Sequence, residues 1–90
     1  MRVKSGFVVR DVGGKKYAVA TGEAARSFKG MLSLNDVGAT IFKMLQQVTT
    51  AEAIVEAILA EYDADPAIVK ADVDNFIAQL RSIDVIIDWF

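Results

Sequence analysis

The side chains that could do chemistry in this chain are its hydroxyls and carboxylates, because its 90 residues contain neither Cys nor His. Without those two residue types there is no thiolate ligand, no thiol nucleophile and no imidazole base. Ser33 and Thr40 therefore have no imidazole to activate them, and we interpret them as a strand serine and a helix threonine. The composition predicts a protein that is not an enzyme.

Carboxylates are the remaining groups with a conceivable chemical role, as ligands for a hard cation. Asp65 precedes Pro66, a pair typical of a helix start, and the other candidates fall on the solvent faces of predicted helices or at their ends. Their spacing is not that of an EF-hand loop. We therefore expect a solvated acidic surface, with no metal and no cofactor. The carboxylates considered are Asp63, Asp65, Asp72, Asp74 and Asp84.

Length and charge narrow the class of protein further. A chain of 90 residues has the length of one domain, so we expect residues 1–90 to form a single unit. Twelve acidic against ten basic residues give a net charge of −2, the wrong sign for a protein that binds a phosphate backbone. The apolar runs are far shorter than the roughly 20 residues that span a bilayer. We expect a cytoplasmic protein that binds neither nucleic acid nor membrane.

The first third of the sequence has the pattern of β-strands. The run Phe7–Val12 is rich in β-branched residues, and a second such run at 17–21 follows a Gly-Gly signal, which predicts a hairpin with the loop 13–16. Residues 28–34 alternate between apolar and polar and predict a third, half-buried strand. In a meander this third strand lies at the sheet edge, with one row of backbone groups unpaired.

The rest of the sequence predicts three amphipathic helices, each with its own start signal. Asn35 is a favourable N-cap, and Thr49 with Glu52 has the spacing of a capping box. The Asp-Pro pair at 65–66 begins the third helix, and the apolar tail 84–90 is predicted to be a short extended segment. The predicted fold class is α+β and winged-helix-like, a three-stranded antiparallel sheet followed by three helices that cover one of its faces.

The third strand could accept an extended peptide as an added strand. Gly30 would let another backbone approach closely, and Lys29 could meet an acidic residue of the peptide. The same residues fit a strand that only protects its own edge, with Gly30 at a bulge and Lys29 blunting the edge. The residue pattern leaves both interpretations open.

Several stretches keep a specific order and spacing along the chain. In the first half they are GFVVR at 6–10, GEAA at 22–25, FKGMLSLN at 28–35 and Gly38. In the second half they are 41–45, 50–54, LAEYD at 59–63, Asp72-Val73 and 76–80. Together, over residues 7–86, they resemble the PqqD-like family, which is named for a pyrroloquinoline quinone (PQQ) synthesis protein.

The resemblance implies a peptide chaperone, the recognition element for precursors of ribosomally synthesised, modified peptides. Such domains bind the leader segment of the precursor as a strand added to the third strand, against the third helix. They present it to a modifying enzyme, often a radical S-adenosylmethionine protein that carries its own iron–sulfur clusters. PQQ synthesis is one of several pathways in the family. The peptide-binding residues that the resemblance implies are Lys29, Gly30, Met31, Leu32, Ser33, Lys70, Val73, Asp74, Ile77 and Arg81.

Two features depart from the family pattern, and two other functions stay open. Asp84 stands where many relatives have glycine at the end of the last helix, and the ending Trp89-Phe90 is unusually apolar. One alternative is a winged-helix nucleic-acid-binding or regulatory module, although the third helix has no positive stripe. The other is a homo-oligomer, such as a homodimer, that pairs through the edge strand and the apolar tail.

Overall fold

A computed structural model describes residues 1–27 and 30–88 and shows an α+β fold. Among these residues no helix is long and apolar enough to cross a membrane. The elements in chain order are β1 (Arg2–Val3), β2 (Phe7–Val12), β3 (Lys15–Ala20), α1 (Ala24–Ser27), β4 (Met31–Leu34), α2 (Asp36–Met44), α3 (Ala51–Glu61), α4 (Pro66–Ser82) and β5 (Ile86–Ile87).

The predicted three-stranded antiparallel sheet is confirmed, with strand order β2-β3-β4. Its first turn is tighter than predicted: the loop is Gly13-Gly14 alone, with φ of 61° and 84°, because two adjacent glycines can both adopt the positive φ of a type I′ turn. β3 therefore begins at Lys15, and the predicted loop 13–16 is wrong. The third strand covers Met31–Leu34 of the predicted 28–34. The predicted positions of Phe28 and Lys29 lie outside the described residues.

Two short elements were not expected from the sequence. α1 lies between the second and third predicted strands. β1 pairs antiparallel with β5, so that Val3 lies opposite Ile86. The extended tail is confirmed for Ile86–Ile87, whereas Trp89 and Phe90 lie outside the described residues. The β1–β5 pair depends on a contact between the two ends of the chain, and a local sequence pattern does not predict such a contact.

The predicted helix starts are confirmed at two of the three positions. The Asn35 side chain accepts a hydrogen bond from the Gly38 N–H at 2.6 Å, and the Asp65 side chain accepts one from the Ala67 N–H at 2.8 Å. At α3 the prediction is wrong by one residue, since Thr50 is the N-cap and accepts from the Ala53 N–H. Thr49 instead lies in the connection between α2 and α3, where its backbone N–H donates a hydrogen bond to the Met1 carbonyl.

α4 ends in a Schellman motif, in which Asp84 adopts the left-handed conformation with φ 61°. The Val85 N–H donates to the Leu80 carbonyl at 3.0 Å, and the Asp84 N–H donates to the Arg81 carbonyl. Leu80 and Val85 are both buried, which supplies the apolar contact that accompanies this motif. The residue that departs from the family pattern therefore occupies the position where glycine is most favourable.

The core lies between the inner face of the three-stranded sheet and the helices α2, α3 and α4. Phe42 is fully buried and its ring meets that of Phe7 edge-on, with the centroids 6.2 Å apart. Ile54 and Ile58 of α3 pack into the same cluster. No polar or charged side chain is buried anywhere in the described ranges.

Candidate functional site

β4 is the edge strand of the three-stranded sheet, with β3 on one side only. Leu32 and Leu34 point toward the core, whereas Met31 and Ser33 are exposed on the outer face. Across residues 1–27 and 30–88, no strand pairs with the other edge of β4. Such an edge presents backbone N–H and C=O groups to which an extended chain can add.

The hairpin turn determines which backbone groups of β3 face β4. A two-residue turn closes on a pair that exchanges hydrogen bonds, which here is Val12 and Lys15. At the other end of the hairpin the Thr21 N–H donates to the Gly6 carbonyl at 2.7 Å, in the same phase. Because bonded pairs alternate with non-bonded pairs, the residues between them on β3 direct their backbone groups away from β2, toward β4.

This alternation assigns the free groups of β4. Lys16 lies opposite Leu34, and Ala18 lies opposite Leu32. These two pairs are the hydrogen-bonded ones, so the backbone N–H and C=O groups of Leu32 and Leu34 are hydrogen-bonded to β3. The N–H and C=O groups of Met31 and Ser33 therefore point to the open edge.

A cleft of about 340 Å³ begins where β4 ends and lies between the first turns of α2 and the middle of α4. We call it the α2–α4 cleft; it is lined by Asn35, Val37, Gly38, Ile41, Asp72, Asn75, Phe76 and Gln79. A Cβ atom at Gly38 would lie 3.0 Å from Oδ1 of the N-cap residue Asn35 and 3.4 Å from Cε1 of Phe76, so the glycine leaves room for the cap and brings α2 close to the Phe76 ring of α4. Asn35 directly follows β4 and lines the cleft, so the cleft adjoins the end of this strand.

The polar side chains that α4 contributes to the cleft are free of internal partners. Asp72, Asn75 and Gln79 are exposed, and in the described part of the chain their side chains form no hydrogen bond or ion pair. Asp72 is the one charged residue among the described residues that line the cleft. Nowhere in the same ranges do three or more acidic side chains converge as a metal site would require. The cleft can thus offer hydrogen bonds, one negative charge and an apolar floor.

The charged residues of α4 that the family resemblance implies lie on another side of the helix. Lys70 Nζ pairs with Asp74 Oδ2 at 2.9 Å, beside Glu52 and Val55 of α3. The hydrogen bond that Lys70 donates to the Asp74 carboxylate raises the pKa of Lys70. At helical spacing, positions 70 and 74 fall on the face opposite to Asp72 and Gln79.

Arg81 lies on this same side of α4, near the N-terminus of the chain. Its Nε donates to Asp88 Oδ2 at 3.1 Å, and its Nη2 contacts the Met1 sulfur at 3.8 Å. The hydrogen bond between the Arg81 guanidinium and the Asp88 carboxylate lowers the pKa of Asp88 and raises that of Arg81. The structure therefore does not bring Lys70, Asp74 and Arg81 together with the α2–α4 cleft.

The other implied residues divide between the core and the edge. Val73 and Ile77 are 0% and 3% exposed, so both are core residues behind the surface of α4. Met31, Leu32 and Ser33 form β4, and exposed Gly30 precedes it with φ of 96°. Lys29 lies outside the described residues.

Sequence reasoning missed the α4 residues that line the cleft, although a signal for them exists. Asp72, Phe76 and Gln79 recur at three- and four-residue spacing, which places them on one flank of the helix. Gly38 inside a predicted helix is the second signal, because an interior glycine often marks a close approach. Neither signal says which flank of α4 faces the sheet.

Comparisons with known proteins identify the family of the chain and a structure with a similar fold. Residues 10–86 match the family of coenzyme PQQ synthesis protein D. No protein in the curated set is significantly similar to the chain. Among solved structures, TbiB1 in complex with the TbiA(beta) leader peptide has a similar fold, with a TM-score of 0.74 and 22% sequence identity. That match covers 100% of this chain and 99% of the other.

Proposed function

Because this chain belongs to the family of coenzyme PQQ synthesis protein D, we propose that it is a non-catalytic module that binds the leader segment of a ribosomally synthesised precursor peptide. The leader adds as a strand to the open edge of β4 and continues into the α2–α4 cleft. The module then presents the precursor, in the cytoplasm, to a modifying enzyme of the radical S-adenosylmethionine class.

The observation that carries the proposal is that an unpaired strand edge and a cleft meet at the end of β4. Met31 and Ser33 direct free backbone groups outward, and Asn35 leads from the strand into the cleft. TbiB1, whose fold is similar, was solved with a leader peptide bound. This supports the same class of ligand for the present chain.

Energetics require the peptide to use both features. Each backbone hydrogen bond adds about 0.5–1.5 kcal/mol net, whereas a micromolar Kd corresponds to about −8 kcal/mol. The two residues Met31 and Ser33 therefore cannot supply that affinity alone. Apolar side chains of the leader must also bury surface in the cleft, where Val37 and Phe76 are available.

The nucleic-acid alternative has less support. The cations of α4 are Lys70 and Arg81, and both are engaged in ion pairs, with Asp74 and Asp88. Asp72 adds a negative charge to the opposite flank of the helix. A helix with this charge distribution lacks the electrostatic attraction that dominates binding to a phosphate backbone.

A nuclear magnetic resonance titration tests the proposal. The isotope-labelled protein is titrated with the synthetic leader encoded by a short reading frame beside its gene, and a scrambled peptide of equal composition is the control. We expect saturable shifts at the amides of Met31, Ser33 and Phe76, while Glu56 on the outer side of α3 stays unchanged. Binding that leaves β4 unperturbed, or no binding by the folded protein, would contradict the proposal.

A further inference from the structure

The α2–α4 cleft has an unbalanced negative charge. Asp72 lines it without an ion-pair partner in the described part of the chain. The nearest comparable acid at the end of the sheet, Asp36, is instead neutralised by Lys16, whose Nζ lies 3.0 Å from its Oδ1. Every other acid of α4 is likewise accounted for, since Asp74 pairs with Lys70.

The surface beyond the cleft has the same sign. A second hollow of about 250 Å³ lies under the connection between α3 and α4 and shares Val37 and Asp72 with the cleft. Its other charged lining residue is Asp63, so none of the described residues that line either hollow carries a positive charge. The charged side chains that line the two hollows are thus Asp72 and Asp63, whereas Lys16, which is not among the lining residues, pairs with Asp36.

Resting on the proposed function, we infer that the α2–α4 cleft recognises a basic residue, Lys or Arg, in the leader peptide, and that Asp72 is the residue that reads its charge. The aliphatic stem of such a side chain packs against Val37 and the ring of Phe76, and its cationic head reaches the Asp72 carboxylate. Asn75 and Gln79 offer amide oxygens to the remaining N–H donors. The occupant is thus a peptide segment with one basic residue close to the part that pairs with β4.

A selection from a random library tests this without knowledge of the natural leader. Ten-residue peptides are displayed and selected on the full-length protein, on Asp72→Asn, and on Glu56→Gln. The last variant removes one exposed acid from α3 and so controls for net charge. We expect the unsubstituted protein and Glu56→Gln to enrich strand-forming peptides with Lys or Arg at one position, and Asp72→Asn to lose that preference.

The affinity of a selected peptide gives the size of the effect. Because the pair is solvent-exposed, we expect Asp72→Asn to weaken binding about two- to fivefold at low salt, and less at high salt. Replacing the basic residue of the peptide by Gln should have the same effect, and combining both changes should add nothing. Asp72→Lys should in turn prefer the peptide with Glu at that position.

The outcomes separate this inference from the proposed function. Enriched peptides that bind at β4 without a basic position would overturn the inference and leave the function standing. A basic preference that persists in Asp72→Asn would also overturn it. If no peptide is enriched on the folded protein, both the proposed function and the inference fail.

Discussion

Ser33 tests the role of single backbone groups at the open edge. Its N–H points away from β3, so Ser33→Pro removes a donor from the edge without breaking the sheet, a position at which proline is tolerated. We expect leader affinity to fall about two- to tenfold, the equivalent of one backbone hydrogen bond, while calorimetry of Ser33→Ala, which keeps the N–H, shows little change. Equal affinity of the two variants, both folded, would mean that the peptide does not pair with β4.

Leu32 differs from Ser33 in the direction of its backbone N–H group. Leu32 and Ser33 are neighbours on an edge strand, yet the Leu32 N–H belongs to the bonded pair with Ala18. A proline at Leu32 would therefore disrupt the sheet itself and could not distinguish lost binding from lost folding. Ser33→Pro avoids this ambiguity, because the Ser33 N–H is not bonded to β3.

Asp84 carries a conformational cost that can be measured. With φ of 61° it occupies a region in which a side chain costs roughly 1–2 kcal/mol, and its ion pair with Lys4 is exposed. We expect Asp84→Gly to have a free energy of unfolding about 1 kcal/mol higher than Asp84→Ala in urea titrations. Both variants lack the carboxylate, so their difference reports the backbone alone. Equal stabilities would show that the left-handed conformation is not maintained in solution.

At the scale of the element, the two adjacent threonines before α3 differ in role, because only Thr50 is the N-cap. Thr50 accepts a hydrogen bond from the Ala53 N–H at 3.1 Å, so Thr50→Ala should lower the free energy of unfolding by about 1 kcal/mol. Thr49 caps nothing with its side chain, and Thr49→Ala should cost clearly less. Chemical denaturation of the two variants decides the helix start, and the reverse order would restore the cap at Thr49.

α4 is the element on which sequence reasoning and structure differ most. Its apolar residues Val69, Val73, Ile77 and Leu80 mark the buried stripe correctly. Both flanks of that stripe are polar, one with Lys70 and Asp74 and the other with Asp72 and Gln79. Since the two flanks are equivalent in sequence, only packing against α2 and α3 decides which one lines the cleft.

At the scale of the whole molecule, stability should depend weakly on pH around neutrality. There is no His in the sequence, and no charged side chain in the described ranges is buried. The hydrogen bond from Arg81 lowers the pKa of Asp88 in the folded protein. The ionised Asp88 therefore adds to the free energy of unfolding at pH values above its unfolded pKa, and this stabilisation is lost as the pH falls through the lowered, folded-state pKa. The pKa of Lys16 is raised by Asp36, so its contribution is lost only as pH rises above about 10.

We therefore expect a nearly constant free energy of unfolding between about pH 6 and 9, and a decline below about pH 4. Urea titrations across this range measure it. Asp88→Asn is the matched variant, and it should decline less on the acid side because its lost group no longer titrates. A decline near pH 6.5 would point to a titrating group that the fold does not explain.

The amino-acid sequence by itself determined the three strands of the β2-β3-β4 sheet and the helices α2, α3 and α4 as element types, two of the three helix caps, the lack of thiol and imidazole chemistry, and the family. These follow from local causes, such as the proline at Pro66, the cap at Asn35 and the spacing of apolar residues. The tertiary structure alone decided the hydrogen-bond phase of β4, the pairing of β1 with β5 and the flank of α4 that lines the cleft. The physical reason is that helical periodicity defines faces only relative to the helix itself. The rotation of α4 about its own axis is set by long-range packing against other helices, such as that of Phe76 beside Gly38 of α2.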